Sequence, residues 1–348
     1  MRKVLTIAGF FVCSMCLITC CVKDYLGEVN CDTEFIPVNE SSVITRICLG
    51  SCADQNASQP VLYRAAELNP DLFIYLGDNI YGDTECMATL ADKYSQLCAK
   101  DEFKALKATC PILAVWDDHD YGANDAGEEY SKKKESKEIF MKFWGDDQNS
   151  ERLSHPGIYH SYLFGQGAQT VQIILLDLRT FRTSMNYEPN FSPSASMLGS
   201  EQWTWLEQQL QQSAKIRIIA SSVQFGSEFH GFESWNNFPL EKERMFNLIE
   251  STQASGVLLI SGDMHYGELS KMEPANTYPI YDFTSSGITG TYPPPPNVNR
   301  IGNAVSDNHI GTIDINWDGD STLIGFSLVD VNGTKQFEEH VYLSEIDY

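Results

Sequence analysis

Four short aliphatic runs, each ending in a cysteine, acidic or histidine motif, constrain this chain more than any other feature. Residues 44–49 lead into Gly50-Ser51-Cys52, residues 72–76 into Gly77-Asp78-Asn79-Ile80-Tyr81, residues 112–116 into Asp117-Asp118-His119-Asp120, and residues 257–260 into Gly262-Asp263-Met264-His265. Runs of this length and composition suit strands buried on both faces of a sheet. Loops leaving such strands converge over a rigid base, which is where sites assemble in open α/β sheets. The four motifs together predict one split metal site.

Between and after these runs the pattern changes. Residues 58–68, 88–98 and 132–144 read as helices, the second with Leu90, Tyr94 and Leu97 on one face. Residues 200–212 predict a helix opened by a capping Ser200 that buries Trp203, Leu206 and Leu210. Beyond His265 the texture is β-rich, with strands expected at 280–284, 311–317, 322–331 and 337–343. Turn signals at Trp317-Asp318-Gly319-Asp320 and Val331-Asn332-Gly333 separate the last of these. Tyr292 followed by four prolines, Pro293 to Pro296, reads as a rigid extended connector. No clear boundary divides the chain, so residues 43–348 are expected to form one composite domain.

At 348 residues and 43% hydrophobic content the chain is long enough to bury a large core. Its start is different. Met1-Arg2-Lys3 followed by an apolar stretch to Ile18 reads as a secretory signal over 1–19, too short for a spanning helix. The sequence Leu17-Ile18-Thr19-Cys20-Cys21 resembles a bacterial lipobox, with Cys20 the expected lipid acceptor and Cys21 the alternative. Residues 20–42 then form a tether or edge segment, and the protein is expected as an exported, monomeric lipoprotein, periplasmic or at the cell surface, held at a membrane by acyl chains. Setting aside Cys13, Cys16, Cys20 and Cys52 leaves six cysteines that could pair in an oxidising compartment, with pairing unreadable from spacing.

A net charge of −23 argues against nucleic acid as a partner, because phosphate backbones call for a basic face. An anionic substrate would need local positive charge, which bound metal ions supply while neutralising a carboxylate cluster. Two ions a few ångströms apart need a bridging carboxylate, and Asp78 is the candidate. Tyr81 can turn its phenol toward the same ion and Cys52 offers a thiolate, a pair that favours ferric iron over magnesium. Asp118 suits the second ion. Asp263 and His265, alternating on an extended strand end, would close the cluster. His119 then faces the substrate as a general acid, protonating the leaving alkoxide while metal-bound hydroxide attacks phosphorus.

These motifs, with Pro70-Asp71-Leu72, Gly82-Asp83, Tyr121-Gly122, Asn124-Asp125 and Leu176-Asp177-Leu178-Arg179, resemble the PhoD-like (alkaline phosphatase D) metallophosphoesterases, distant relatives of the purple acid phosphatases. The resemblance implies an α/β fold, a four-layer metallophosphatase-like sandwich of two mixed β-sheets flanked by helices, and hydrolysis of phosphate mono- or diesters. It also implies Fe3+ and Ca2+ held by Cys52, Asp78, Tyr81, Asp118, Asp263 and His265, with the second ion open. Ser222 to Pro239 looks like a further signature of some branches, in which His230 or Gln224 could take a remaining ligand or substrate position. Arg179 and Arg182 are candidates to clamp phosphate, since guanidinium matches its oxygens bidentately. Asn124, also a candidate substrate contact, and Asp125 either add a calcium ligand or merely shape the loop. The competing expectation is a non-catalytic surface lipoprotein that keeps the fold for binding.

Overall fold

A computed structural model describes residues 27–31, 34–146, 150–185, 187–228 and 231–348. The signal segment, Cys20 and His230 lie outside them. In chain order the strands are β1 (Arg46–Gly50), β2 (Leu72–Leu76), β3 (Ile112–Val115), β4 (His160–Phe164), β5 (Val171–Leu175), β6 (Ile216–Ala220), β7 (Val257–Ser261), β8 (Gly267–Met272), β9 (Ile280–Ser285), β10 (Arg300–Val305), β11 (His309–Asn316), β12 (Leu323–Asp330) and β13 (Lys335–Tyr342). The helices are α1 (Val61–Glu67), α2 (Met87–Ala99), α3 (Asp101–Lys107), α4 (Asp118–Tyr121), α5 (Lys133–Trp144), α6 (Gly199–Leu210) and α7 (Pro239–Thr252).

The strands form two mixed sheets. One has the order β13-β12-β11-β1-β2-β3 and the other β10-β8-β9-β7-β6-β5-β4. β1, β2 and β3 run parallel, as do β5, β6, β7 and β9. The predicted double burial is the reason these strands read as unbroken aliphatic runs: β2, β5, β6 and β7 are buried along their whole length. The sheets pack face to face through contacts such as Phe283 on β9 against Phe326 on β12, with ring centroids 5.3 Å apart. Helices α1 and α5 lie on the first sheet with α2 and α3 packed beside them, and α6, paired with α7, meets the second where Gln172 of β5 donates to the Gln209 carbonyl, which makes the four-layer sandwich.

One local expectation is corrected. Ser200 does not cap α6; it lies inside the first turn, and Leu198 occupies the cap position with no side-chain bond. The exposed amides are satisfied from outside instead. Glu241 of α7 accepts from the backbone N–H of Met197 (2.8 Å) and from Trp203 Nε1 (2.8 Å), and Ser196 Oγ accepts from Gly199 N–H. Among the six pairable cysteines, Cys31 is bridged to Cys98 and Cys86 is also disulfide-bonded, but Cys48 and Cys110 are free and buried. The segment before β1 is also packed down, with Phe35 edge-on to Phe103 and Phe143.

Candidate metal centre

Because the central strands of each sheet are parallel, their C-terminal ends share one side of the molecule. Cys52 follows β1, Asp78 follows β2, Asp118 and His119 open α4 after β3, and Asp263 and His265 follow β7 of the other sheet. The site therefore bridges both sheets. Two glycines permit the approach. A Cβ at Gly77 would meet Asp117 Cβ at 2.6 Å, and one at Gly262 would meet Ser51 Oγ at 2.4 Å.

Asp120, fully buried, ties two of the loops by accepting the backbone N–H groups of Asn79 (3.0 Å) and Asp117 (3.1 Å) and the Tyr94 hydroxyl (3.2 Å). The candidate ligands themselves sit in left-handed backbone: φ is +60° at Cys52, +49° at Asp78, +67° at Asp263 and +55° at His265. Such conformations cost on the order of 1 kcal/mol or more each for residues other than glycine. This corrects the extended-strand expectation for Asp263 and His265. β7 has ended at Ser261, and a tight turn with Met264 N–H on the Gly262 carbonyl (2.8 Å) brings them to the cluster.

Ligand atoms of Cys52, Asp78 and His265 lie within 4.8 Å of one another, and so do those of Asp78, Asp118 and His119. Asp78 belongs to both sets. Its Oδ2 is 3.4 Å from Cys52 Sγ, and its Oδ1 is buried with no partner. The Tyr81 hydroxyl is 3.3 Å from His265 Nε2, beside the first set. His265 Nδ1 lies 3.0 Å from the Gly290 carbonyl, so Nδ1–H donates there and Nε2 keeps its lone pair for the cluster. Asp263 lines the same cavity, but among the described residues its carboxylate falls in neither set; its backbone carbonyl is 3.6 Å from Cys52 Sγ.

The electrostatics suit a cation. Burial, then Cys52, Asp118, Asp117 and Asp263, push the Asp78 carboxyl well above the usual range. Burial by itself would raise the Cys52 thiol, yet His265 and the hydroxyls of Ser286 and Ser51 bring it down to about 6. A cluster with a buried unpartnered carboxylate oxygen, a lowered thiol and an imidazole that burial would lower but the Cys52 thiolate raises to about 8, its proton yielding to a bound cation, has the chemistry of a metal-binding donor set.

His119 stands at the rim with Nδ1 2.7 Å from Asp83 Oδ1 and its ring 4.4 Å from that of Tyr81. Burial opposes its protonation, but the Asp83 hydrogen bond and the nearby Asp118 raise it to about 9.

Three of the expected substrate contacts are corrected. Arg179 is fully buried: its Nε donates to Asp117 Oδ1 (2.6 Å), and Nη2 pairs with Glu233 (2.8 Å) and lies 4.0 Å from Asp118. It props the acidic loops from behind and does not reach the cavity. Arg182 is equally buried, paired with Glu233 at 3.0 Å. Gln224 is a core residue, donating to Thr284 Oγ1 (2.9 Å) and accepting from the Tyr266 hydroxyl (2.9 Å). The sequence favoured these because an arginine beside a motif looks the same whether it faces substrate or carboxylates. Asn124 does line the cavity, exposed.

Asp83 and Ser286 join the site without being singled out by the motifs. Asp83 stands five residues after Asp78 in the same loop, a second carboxylate placed to orient His119. Ser286, at 3.0 Å from Cys52 Sγ and accepting His265 N–H at 2.7 Å, follows β9 and carries no local signal.

Residues 47–311 match the model of the PhoD-like phosphatases. The alkaline phosphatase D of Bacillus subtilis (strain 168) is 26% identical over 268 residues, 63% of this chain. That match spans only 44% of the relative's length. A solved structure of PhoD superposes with a TM-score of 0.66 at 17% identity, covering 88% of this chain and 70% of that one. A dimetal phosphatase from Danio rerio superposes at 0.55 and 13% identity, covering 87% and 100%. At such identities the superpositions show the fold.

Proposed function

The chain belongs to the PhoD-like phosphatase family, and on that footing we propose that it is a metal-dependent hydrolase of phosphate esters. The observation that carries this reading is Asp78, buried and shared between two convergent ligand sets, as a bridging carboxylate between two ions would be. Cys52, Tyr81 and His265 would hold one ion, with Asp263 at its side, and Asp118 the other. Thiolate and phenolate donors suit ferric iron, and carboxylates suit calcium. When bound, the ions supply positive charge to the phosphoryl oxygens and make a water acidic enough to act as nucleophile near neutral pH.

The remaining roles fall to side chains. Asp83 holds Nδ1 of His119, which leaves the Nε2 proton for the departing alcohol oxygen. Arg179 neutralises Asp117 and keeps Asp118 oriented, a positioning role. His119 also lies in the second ligand set, which favours ligation as a second reading of that residue. The export signal and a Cys20 lipid anchor, placing the enzyme in the periplasm or at the cell surface as a monomer, complete the proposal from sequence; no helix among the described residues is long and apolar enough to cross a membrane.

The test is metal analysis together with turnover of mono- and bis-nitrophenyl phosphate by wild type, Asp78→Asn and His119→Ala. A metal-free, inactive wild type sinks the enzyme reading. His119→Ala with full metal content and slowed turnover supports the general acid, whereas loss of metal supports ligation.

A further inference from the structure

Above the cluster lies a cavity of about 490 Å³, on the scale of a small-molecule site. Its floor is acidic, with Asp78, Asp118 and Asp263, but its walls have a different chemistry. Tyr187, Phe232, Tyr292, Pro293 and Pro295 line them, and among the described residues no lysine or arginine does. Tyr292 is 62% exposed and Phe232 57% exposed, an unusual outlay of apolar surface around an ionic site.

One wall is built to stay in place. Tyr292 N–H donates to the His265 carbonyl at 2.8 Å, and its ring stands edge-on to the His265 imidazole with centroids 4.8 Å apart. The four prolines that follow restrict the backbone, each by a fixed φ. Arg300 Nη2 donates to the Pro295 carbonyl at 2.6 Å, while its Nε pairs with Glu268, a fully buried carboxylate. Glu268 is itself gripped by Asn297 Nδ2 (2.8 Å) and Gln224 Nε2 (3.2 Å). An aromatic surface held this firmly loses little entropy when a ring settles against it.

A phosphoryl group is far smaller than the cavity, so the walls must meet what the phosphorus carries. Resting on the phosphoesterase reading, we propose that Tyr292 and the proline wall form a subsite for an uncharged, ring-bearing alcohol portion of the ester, with Arg300 as the residue that positions the wall. Asp125, which lines the cavity beside Tyr187, and walls without lysine or arginine among the described residues disfavour alcohols that carry further negative charge.

The experiment compares 2-phenylethyl phosphate with ethyl phosphate on the metal-loaded full chain, because the two leaving alcohols have similar acidity and differ in the ring. The phenylethyl ester should win in kcat/KM by about ten- to a hundredfold, mostly through KM, the scale of burying one aromatic ring. A para-carboxylate on that ring should abolish the advantage. Tyr292→Ala and Arg300→Gln should each shrink it to below about threefold by raising KM for the phenylethyl ester, and Arg300→Lys, which keeps a cation on Glu268, should restore part of it. Equal kcat/KM for the two esters in wild type, or an undiminished preference in a folded Tyr292→Ala, overturns the subsite while leaving the phosphoesterase reading intact. Turnover of neither ester by protein that hydrolyses nitrophenyl phosphate overturns the subsite alone, and failure on all of them removes both readings.

Discussion

Replacing Asp78 by Asn should stabilise the metal-free protein and destabilise the metal-loaded one. Asp78 is 1% exposed, its Oδ1 has no partner, and Oδ2 lies 3.4 Å from Cys52 Sγ. Four neighbouring acids, Cys52, Asp118, Asp117 and Asp263, add repulsion to the burial that already disfavours its charge. Two like charges about 4 Å apart repel by roughly 4 kcal/mol at an effective dielectric of about 20, and proton uptake relieves part of that. Asn keeps the shape, tolerates the left-handed backbone at φ +49°, and removes the remainder, so a gain of about 1–3 kcal/mol is expected in chelator. On a chain of this size that corresponds to a rise in Tm of roughly 1–5 °C. Saturating metal should reverse the order, because an ion at about 1,000 times its Kd stabilises wild type by about 4.1 kcal/mol and the variant far less. Calorimetric melts of both proteins with chelator and with metal, alongside metal analysis, read the crossover. A variant less stable than wild type in chelator, or one that keeps the full metal-induced shift, refutes the reasoning.

Other outcomes follow from buried polar groups. His309 is fully buried, and burial lowers it from 6.5 to about 4 despite its contact with the Asp307 carbonyl. It stays neutral in the fold, so the stability it contributes is whole above pH 6.5 and drains away as pH falls towards 4, by about 3 kcal/mol; denaturant melts of wild type and His309→Gln from pH 7.5 to 4.5 should converge by that amount. Glu241→Ala strands the Trp203 indole N–H and the amides before α6 and should cost about 3 kcal/mol, with Glu241→Gln costing less, as urea melts would report. Arg179→Met leaves Asp117 and Glu233 buried without their counter-ion, so a loss of about 3–5 kcal/mol is expected; an unchanged melt with a raised KM would instead return Arg179 to the substrate. Opening Cys31–Cys98 by a double serine change releases a loop of 67 residues and should cost about 4 kcal/mol by loop entropy, read in the same melts.

The strands that carry ligands were legible because burial on both faces leaves an unbroken aliphatic record, and β2 matches its run end to end. Those of the second sheet's flank were less so. β8 and β10 carry glycine, serine and charged residues, and their pairing rests on neighbours remote in sequence. The cap of α6 is hidden for a related reason: Ser200 is a good local signal, but Glu241, remote in sequence on α7, takes the task.

By itself the sequence determined which side chains could bind a cation and that they leave strands at one end, since composition and chain order are enough for both. The tertiary structure alone decided which of them meet. Left-handed turns at Cys52, Asp78, Asp263 and His265 aim the ligands, and two sheets packed face to face bring β7 to β1 and β2. It also assigned the cations: Arg179 and Arg182 face inward to carboxylates, because a buried charge must be paired where it lies, and burial is set by packing that no single motif contains.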